Sequence, residues 1–166
     1  APGIEYEVRE KLKGDALKAE LVKQDWDDSV KALVEAPEIL AMMSAELDWM
    51  QSLGDAVLAQ QPDVMEAVQR LRAKAEASGK LASTEQQRVV VSEEAGQREI
   101  VIQPASPEIV YVPYYQPSVV YGPWPYPSHP PYTFAPPPRY TMGQAIATGI
   151  AFGVGYAISN VIFDSF

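Results

Sequence analysis

Apolar positions recur at helical spacing over roughly the first eighty residues and at strand spacing after that. Ala16, Leu17, Ala19, Leu21 and Val22 give one side to the segment opened by Gly14-Asp15. Asp25-Trp26-Asp27-Asp28-Ser29 precedes VKALVEA, and an Asp ahead of a first turn accepts orphan amides and suits the positive helix end. Pro37 fits the first position of the next helix, whose inward face is Ile39, Leu40, Met43 and Leu47. Leu47 to Gln61 is expected to break at Gly54. Pro62-Asp63 should open the clearest helix, with the stripe Val64, Val68, Leu71, Ala75 and an end at Gly79. From Arg88 the period changes to two. Val89–Ser92 and Glu99–Gln103 read as strands joined by a turn at Gly96. Glu108–Val112 reads as a third strand and Ser118–Tyr121 as a fourth. The fold class that follows is α+β, mainly α with a small β ribbon of two to four short antiparallel strands.

The C-terminal stretch Thr141–Phe163 is patterned in two ways. Small residues at Ala145, Gly149, Gly153 and Ala157, with a second track through Ala147, Ala151, Gly155 and Ser159, lie beside Ile146, Ile150, Val154, Ile158 and Ile162. As a helix of about 34 Å it would cross a hydrocarbon core and offer small-xxx-small packing seams. As a strand, the same letters alternate small and large. The helix is the expected form, because a single spanning helix satisfies its own backbone. On that expectation Ala145, Gly149, Gly153, Ala157 and Gly155 are the helix-packing or oligomerisation residues.

Charge separates the two halves. After residue 100 the only charged residues are Glu108, Arg139 and Asp164. The net charge of −9 argues against nucleic acid, which needs clustered Lys and Arg. There is no cysteine, so disulfides, thiolate metal sites and cysteine nucleophiles are excluded. Ten of the fifteen prolines fall between Pro113 and Pro138, interleaved with aromatics. Prolines there favour polyproline II and turns. The rings of Tyr111, Tyr114, Tyr115, Tyr121, Trp124, Tyr126, Tyr132 and Tyr140 would suit a bilayer interface or a protein surface, where a ring is buried and its polar tip stays wet. The chain therefore divides into an acidic helical domain (1–80), a β ribbon (81–112), a Pro/Tyr-rich arm (113–140) and an apolar Gly/Ala-rich segment (141–166).

Candidate chemistry is sparse. His129, the single histidine, sits in PSHPP with no acid or hydroxyl held beside it by regular structure. Asp25, Asp27 and Asp28 resemble the start of a calcium loop, but Val30 replaces the required Gly, and capping accounts for them better. Trp26 and Trp49 are expected as core anchors. No catalytic residue, metal site, cofactor or small-molecule substrate is expected.

The run WDDSVKAL, LGDAVLAQQPDVMEAVQRLR and PEIVYVPYYQPSVVYGPWPYP, followed by the Gly/Ala-rich tail, resembles the bacterial domain of unknown function 3300 family over about residues 13–163. The resemblance implies an exported cell-envelope protein without established activity. The family's leader and upstream helical portion have no counterpart here, and the chain opens on Ala1, so a processed or trimmed product is expected. The expectation is a non-enzymatic envelope protein, membrane-associated through its tail and either oligomeric or a subunit of a larger complex. The alternative is a homo-oligomeric pore with an acidic vestibule.

Overall fold

The computed structural model describes residues 15–34, 36–94, 96–135, 140 and 147–157. Three short helices lead into a long one: α1 (Asp15–Leu21), α2 (Asp28–Leu33), α3 (Pro37–Ala45) and α4 (Leu47–Ala77). Asp27 caps α2 as expected. Its Oδ1 accepts the Ser29 backbone N–H at 2.9 Å and the Ser29 hydroxyl at 2.5 Å, and these bonds hold its carboxyl below the usual range. Helix α4 runs through Gly54 without a break. The interruption is at Gln60, whose backbone is non-helical (φ −150°, ψ 51°). Pro62 follows two residues later, and a proline both removes a ladder N–H and crowds the turn before it. The helix ends at Gly79, which takes φ +68°.

A hairpin lies against the far end of α4. Strands β1 (Gln87–Glu94) and β2 (Gln97–Pro104) pair antiparallel, turning at Gly96 with φ +77°. The outer edge of β2 is closed by helix side chains. Gln69 accepts the Ile100 N–H at 3.0 Å and returns a bond to its carbonyl at 3.3 Å, and Arg72 donates to the same carbonyl at 2.8 Å. Arg98 and Glu76 tie the hairpin to α4 with an ion pair at 2.6 Å.

The C-terminal segment corrects the helix expectation. Its described part forms β5 (Ile150–Phe152) and β6 (Tyr156–Ala157), which pair with β4 (Pro113–Tyr115) and β3 (Ile109–Val110). Between the two pairs, Tyr111 and Val112 face three residues, Gly153, Val154 and Gly155, so the tail bulges by one residue there. Ile150 and Ala151 are both buried, as expected of an extended chain covered on both faces. Among the described residues no helix is long and apolar enough to cross a membrane. The expected fourth strand is also corrected: Pro117–Val120 is a helical turn, α5, because Pro117 at its first position fixes a helical φ. The arm contributes a strand at Pro113–Tyr115, where an edge position tolerates the missing N–H.

Five segments meet in one core: Ala75 of α4, Leu81, Ile100 of β2, Val120 of α5 and Ile150 of β5. Ser78 stitches two of them, donating to the Ala75 and Val120 carbonyls at 2.9 and 2.8 Å. The tail is thus part of the core.

Candidate binding cleft

The Pro/Tyr-rich arm leaves α5 at Gly122 (φ +62°) and returns over α3 and the first half of α4. It is pinned there by an aromatic triangle. Trp49 stacks on Tyr132 with ring centroids 5.5 Å apart and meets Phe134 in a T-shaped contact at 4.8 Å, while Tyr132 and Phe134 meet at 5.1 Å. Tyr132 also donates its hydroxyl to the carboxylate of Glu46, the non-helical residue that joins α3 to α4, three positions before Trp49. That bond and the carboxylate's charge push the Tyr132 phenol upward. The other end of the arm is self-braced. Trp124 donates its indole N–H to the His129 carbonyl at 2.7 Å, His129 N–H bonds the Tyr126 carbonyl at 2.9 Å, and Trp124 touches both Tyr121 and Tyr126.

Between arm and helices lies a cleft of about 570 Å³, within the ordinary range of ligand sites. Its floor is Ile39 and Met42 of α3, Leu71 of α4 and the β4 strand. Every lining side chain is aromatic, aliphatic or proline. Two carboxylates stand beside it at opposite ends of α3: Glu46, bound to Tyr132, and Glu38, which accepts the Tyr156 hydroxyl at 2.6 Å. Glu38 raises the pKa of the cleft residue Tyr140, although burial is the larger cause.

Six of the eight aromatics singled out from the sequence line this cleft: Tyr114, Tyr115, Tyr121, Trp124, Tyr132 and Tyr140. Tyr126 flanks Trp124 and is largely exposed. Tyr111 lies elsewhere, where a Cβ on Gly155 would meet its ring at 2.9 Å. The glycines of the tail face the chain itself. A Cβ on Gly149 would meet Val120 at 2.7 Å, and one on Gly153 would meet Tyr140 at 2.5 Å. Tyr140 in turn donates to the Val112 carbonyl at 2.7 Å, across the bulge. Ala157 pairs with Ile109, and Ala145 lies outside the described residues. Trp49, expected in a core, is a half-buried wall of the cleft. His129 sits on the exposed turn with Nδ1 3.0 Å from the hydroxyl of its neighbour Ser128, a contact that sequence reasoning did not supply.

Burial pushes the Tyr115 phenol from 10.0 up to about 12, with the Tyr121 phenol adding to the shift and Arg72 opposing it. The folded state therefore holds this proton more tightly than the unfolded chain does. Its contribution is complete below pH 10 and is lost as pH rises toward about 12. At about 1.4 kcal/mol per unit, the loss reaches about 3 kcal/mol. Absorbance titration at alkaline pH should show a last ionisation step that lags until the chain unfolds. A Tyr115→Phe variant should lack the lagging step.

A family model described as "Protein of unknown function (DUF3300)" matches residues 5–166. The chain is 47% identical over 79 residues to the uncharacterized protein YacH of Escherichia coli (strain K12), a match covering 48% of this chain and 13% of that protein. The chain thus matches only a small part of YacH's length. No solved structure matches it.

Proposed function

We infer that this chain, which belongs to the DUF3300 family of proteins of unknown function, is a non-enzymatic interaction module of the bacterial cell envelope that holds a partner in its aromatic cleft. In this reading it works on the exported side of a membrane, associated with that membrane, alongside other protein subunits or copies of itself. The single observation that supports it is the make-up of the cleft, about 570 Å³ walled entirely by rings, prolines and aliphatic groups. Such a wall binds by contact area, with hydroxyl and indole groups setting orientation. Aromatic residues of this kind are the ones enriched where proteins grip partners.

Fractionation of the intact protein at native expression, combined with photocrosslinking, tests the reading. A photoreactive residue replacing Tyr126, on the arm beside the cleft, should give discrete adducts in the envelope fraction. One replacing Leu58, which is 88% exposed on α4, should give none. A cytosolic location, or equal labelling from both positions, would overturn the proposal.

A further inference from the structure

The outer edge of β2 carries a backbone donor and acceptor that nothing in the fold uses. Ile100 gives its N–H to Gln69, so Ile100 and its partner Val91 exchange no ladder bonds. Pairs of that kind alternate with bonded ones along an antiparallel ladder, which places Val89 and Ile102 in the same class. Val89 agrees, since its N–H turns outward to the Ser83 hydroxyl at 2.9 Å. The N–H and C=O of Ile102 therefore face away from β1, on the same edge as those of Ile100. No described residue bonds either group. Beside this edge lies a pocket of about 260 Å³, which shares Leu71, Tyr115 and Tyr121 with the aromatic cleft. Its polar lining is Arg72 and the two phenols; its apolar lining includes Leu71, Leu81 and Ile102 itself, and it holds no acidic residue.

The donors here suit a carboxylate. Arg72 spends one of its five N–H groups on the Ile100 carbonyl and makes no ion pair among the described residues. The hydroxyls of Tyr115 and Tyr121 make no hydrogen bond there either, and burial keeps both phenols protonated. Along an outward edge the carbonyl of one residue adjoins the N–H two positions on, so the guanidinium on the Ile100 carbonyl stands next to the Ile102 N–H. A guanidinium fork matches the two oxygens of a carboxylate, and a backbone N–H adds a third bond. The Ile102 carbonyl, next along the edge, needs a donor. An amide N–H fits it better than an ammonium, because the pocket has no acid to balance a second charge. An amide N–H one carbon from a carboxylate is the last residue of a polypeptide. Laid antiparallel to β2, that residue exchanges two bonds with Ile102 and projects its side chain on the face where Ile102 packs against the core. We propose that this edge binds the C-terminal residue of another polypeptide, apolar in its side chain, with its carboxylate on Arg72 and the Ile102 N–H and its own N–H on the Ile102 carbonyl. The proposal stands independently of the reading of the aromatic cleft.

The probe is acetyl-Ala-Ala-Leu with a free carboxylate, titrated into the 15N-labelled chain while the Ile102 amide and the Arg72 Nε signals are followed. Both should shift together with one affinity, while the Leu58 amide on the exposed face of α4 should not move. The same peptide closed as a C-terminal amide should bind about tenfold more weakly or worse, since it loses the charged hydrogen bonds. Arg72→Gln, which keeps a donor for the Ile100 carbonyl, should weaken the free acid by a similar factor and leave the amide form unchanged. Tyr115→Phe, which removes only a hydroxyl, should cost about two- to fivefold. If Arg72→Gln fails to fold, the comparison of acid with amide on the wild-type chain still decides. Equal affinity of acid and amide would overturn the proposal, as would a free acid that leaves the Ile102 amide unmoved. Sodium acetate shifting the same signals at the same concentration would overturn it in favour of a simple anion site. Acetyl-leucine binding as tightly as the tripeptide would do so in favour of a free acylated amino acid.

Discussion

Replacing Gly149 with Val should lower the unfolding free energy by about 3–5 kcal/mol, measured by urea denaturation. Two independent penalties combine there. Gly149 takes φ +81°, a region that β-branched residues essentially avoid, and a Cβ would stand 2.7 Å from Val120 and 2.9 Å from Val119. Neither neighbour can yield easily. Val120 is fully buried in the core, and Gly149 is itself held by its carbonyl, which accepts the Gln116 N–H at 2.8 Å. Gly149→Ala should give a smaller loss with the same sign. The contrasting site is Gly54, where nothing lies within 4 Å and the backbone is helical. Gly54→Ala should therefore raise stability by up to about 1 kcal/mol. If Gly149→Val left the midpoint unchanged, the tail would not be seated against α5 as described.

That same tail shows where sequence reasoning loses its grip. A strict alternation of small and large residues has period two, and any such alternation also repeats every four. Small-xxx-small tracks and a strand pattern are then the same letters, and only the partner decides between them. The partner here, Ile109–Tyr115, lies about forty residues upstream, beyond the reach of any local window. The hairpin was legible because everything it needs is local: β-branched runs in β1 and β2 and a glycine at the turn. Helices α2 and α3 were legible for the same reason, through Asp27 and Pro37. The break in α4 was misplaced because Gly54 is permissive whereas Pro62 is restrictive, and the restrictive residue governs. In the cleft, the arm's aromatics were recognisable as a group, since prolines bar them from regular elements. Their counterpart was not. A tryptophan on an amphipathic helix looks the same whether it faces a core or a docked arm, and Trp49 faces the arm.

Truncating Ile100 to Ala should cost about 4 kcal/mol, in the upper part of the range for buried aliphatic side chains. Such losses vary with how far the surroundings can collapse into the space, and here collapse is hindered from three sides. The backbone of Ile100 is fixed to α4 by Gln69 and Arg72, so β2 cannot slide inward. Its strand partner Val91 is locked in the hairpin register, and Ala75, Leu81, Val120 and Ile150 belong to four other segments whose positions are set elsewhere. Ile100→Val removes a single methylene and should cost only about 1 kcal/mol. Removing the clamp tests the same logic from the other side. Gln69→Leu leaves the Ile100 N–H without its acceptor, a loss of about 1–3 kcal/mol. With Arg72 left as the only clamp on the Ile100 backbone, the hairpin can settle further toward the helix, so Ile100→Ala introduced into the Gln69→Leu background should cost less than it does alone. Full additivity of the two substitutions in a double-mutant cycle would mean that the Gln69 bonds do not hold the cavity open.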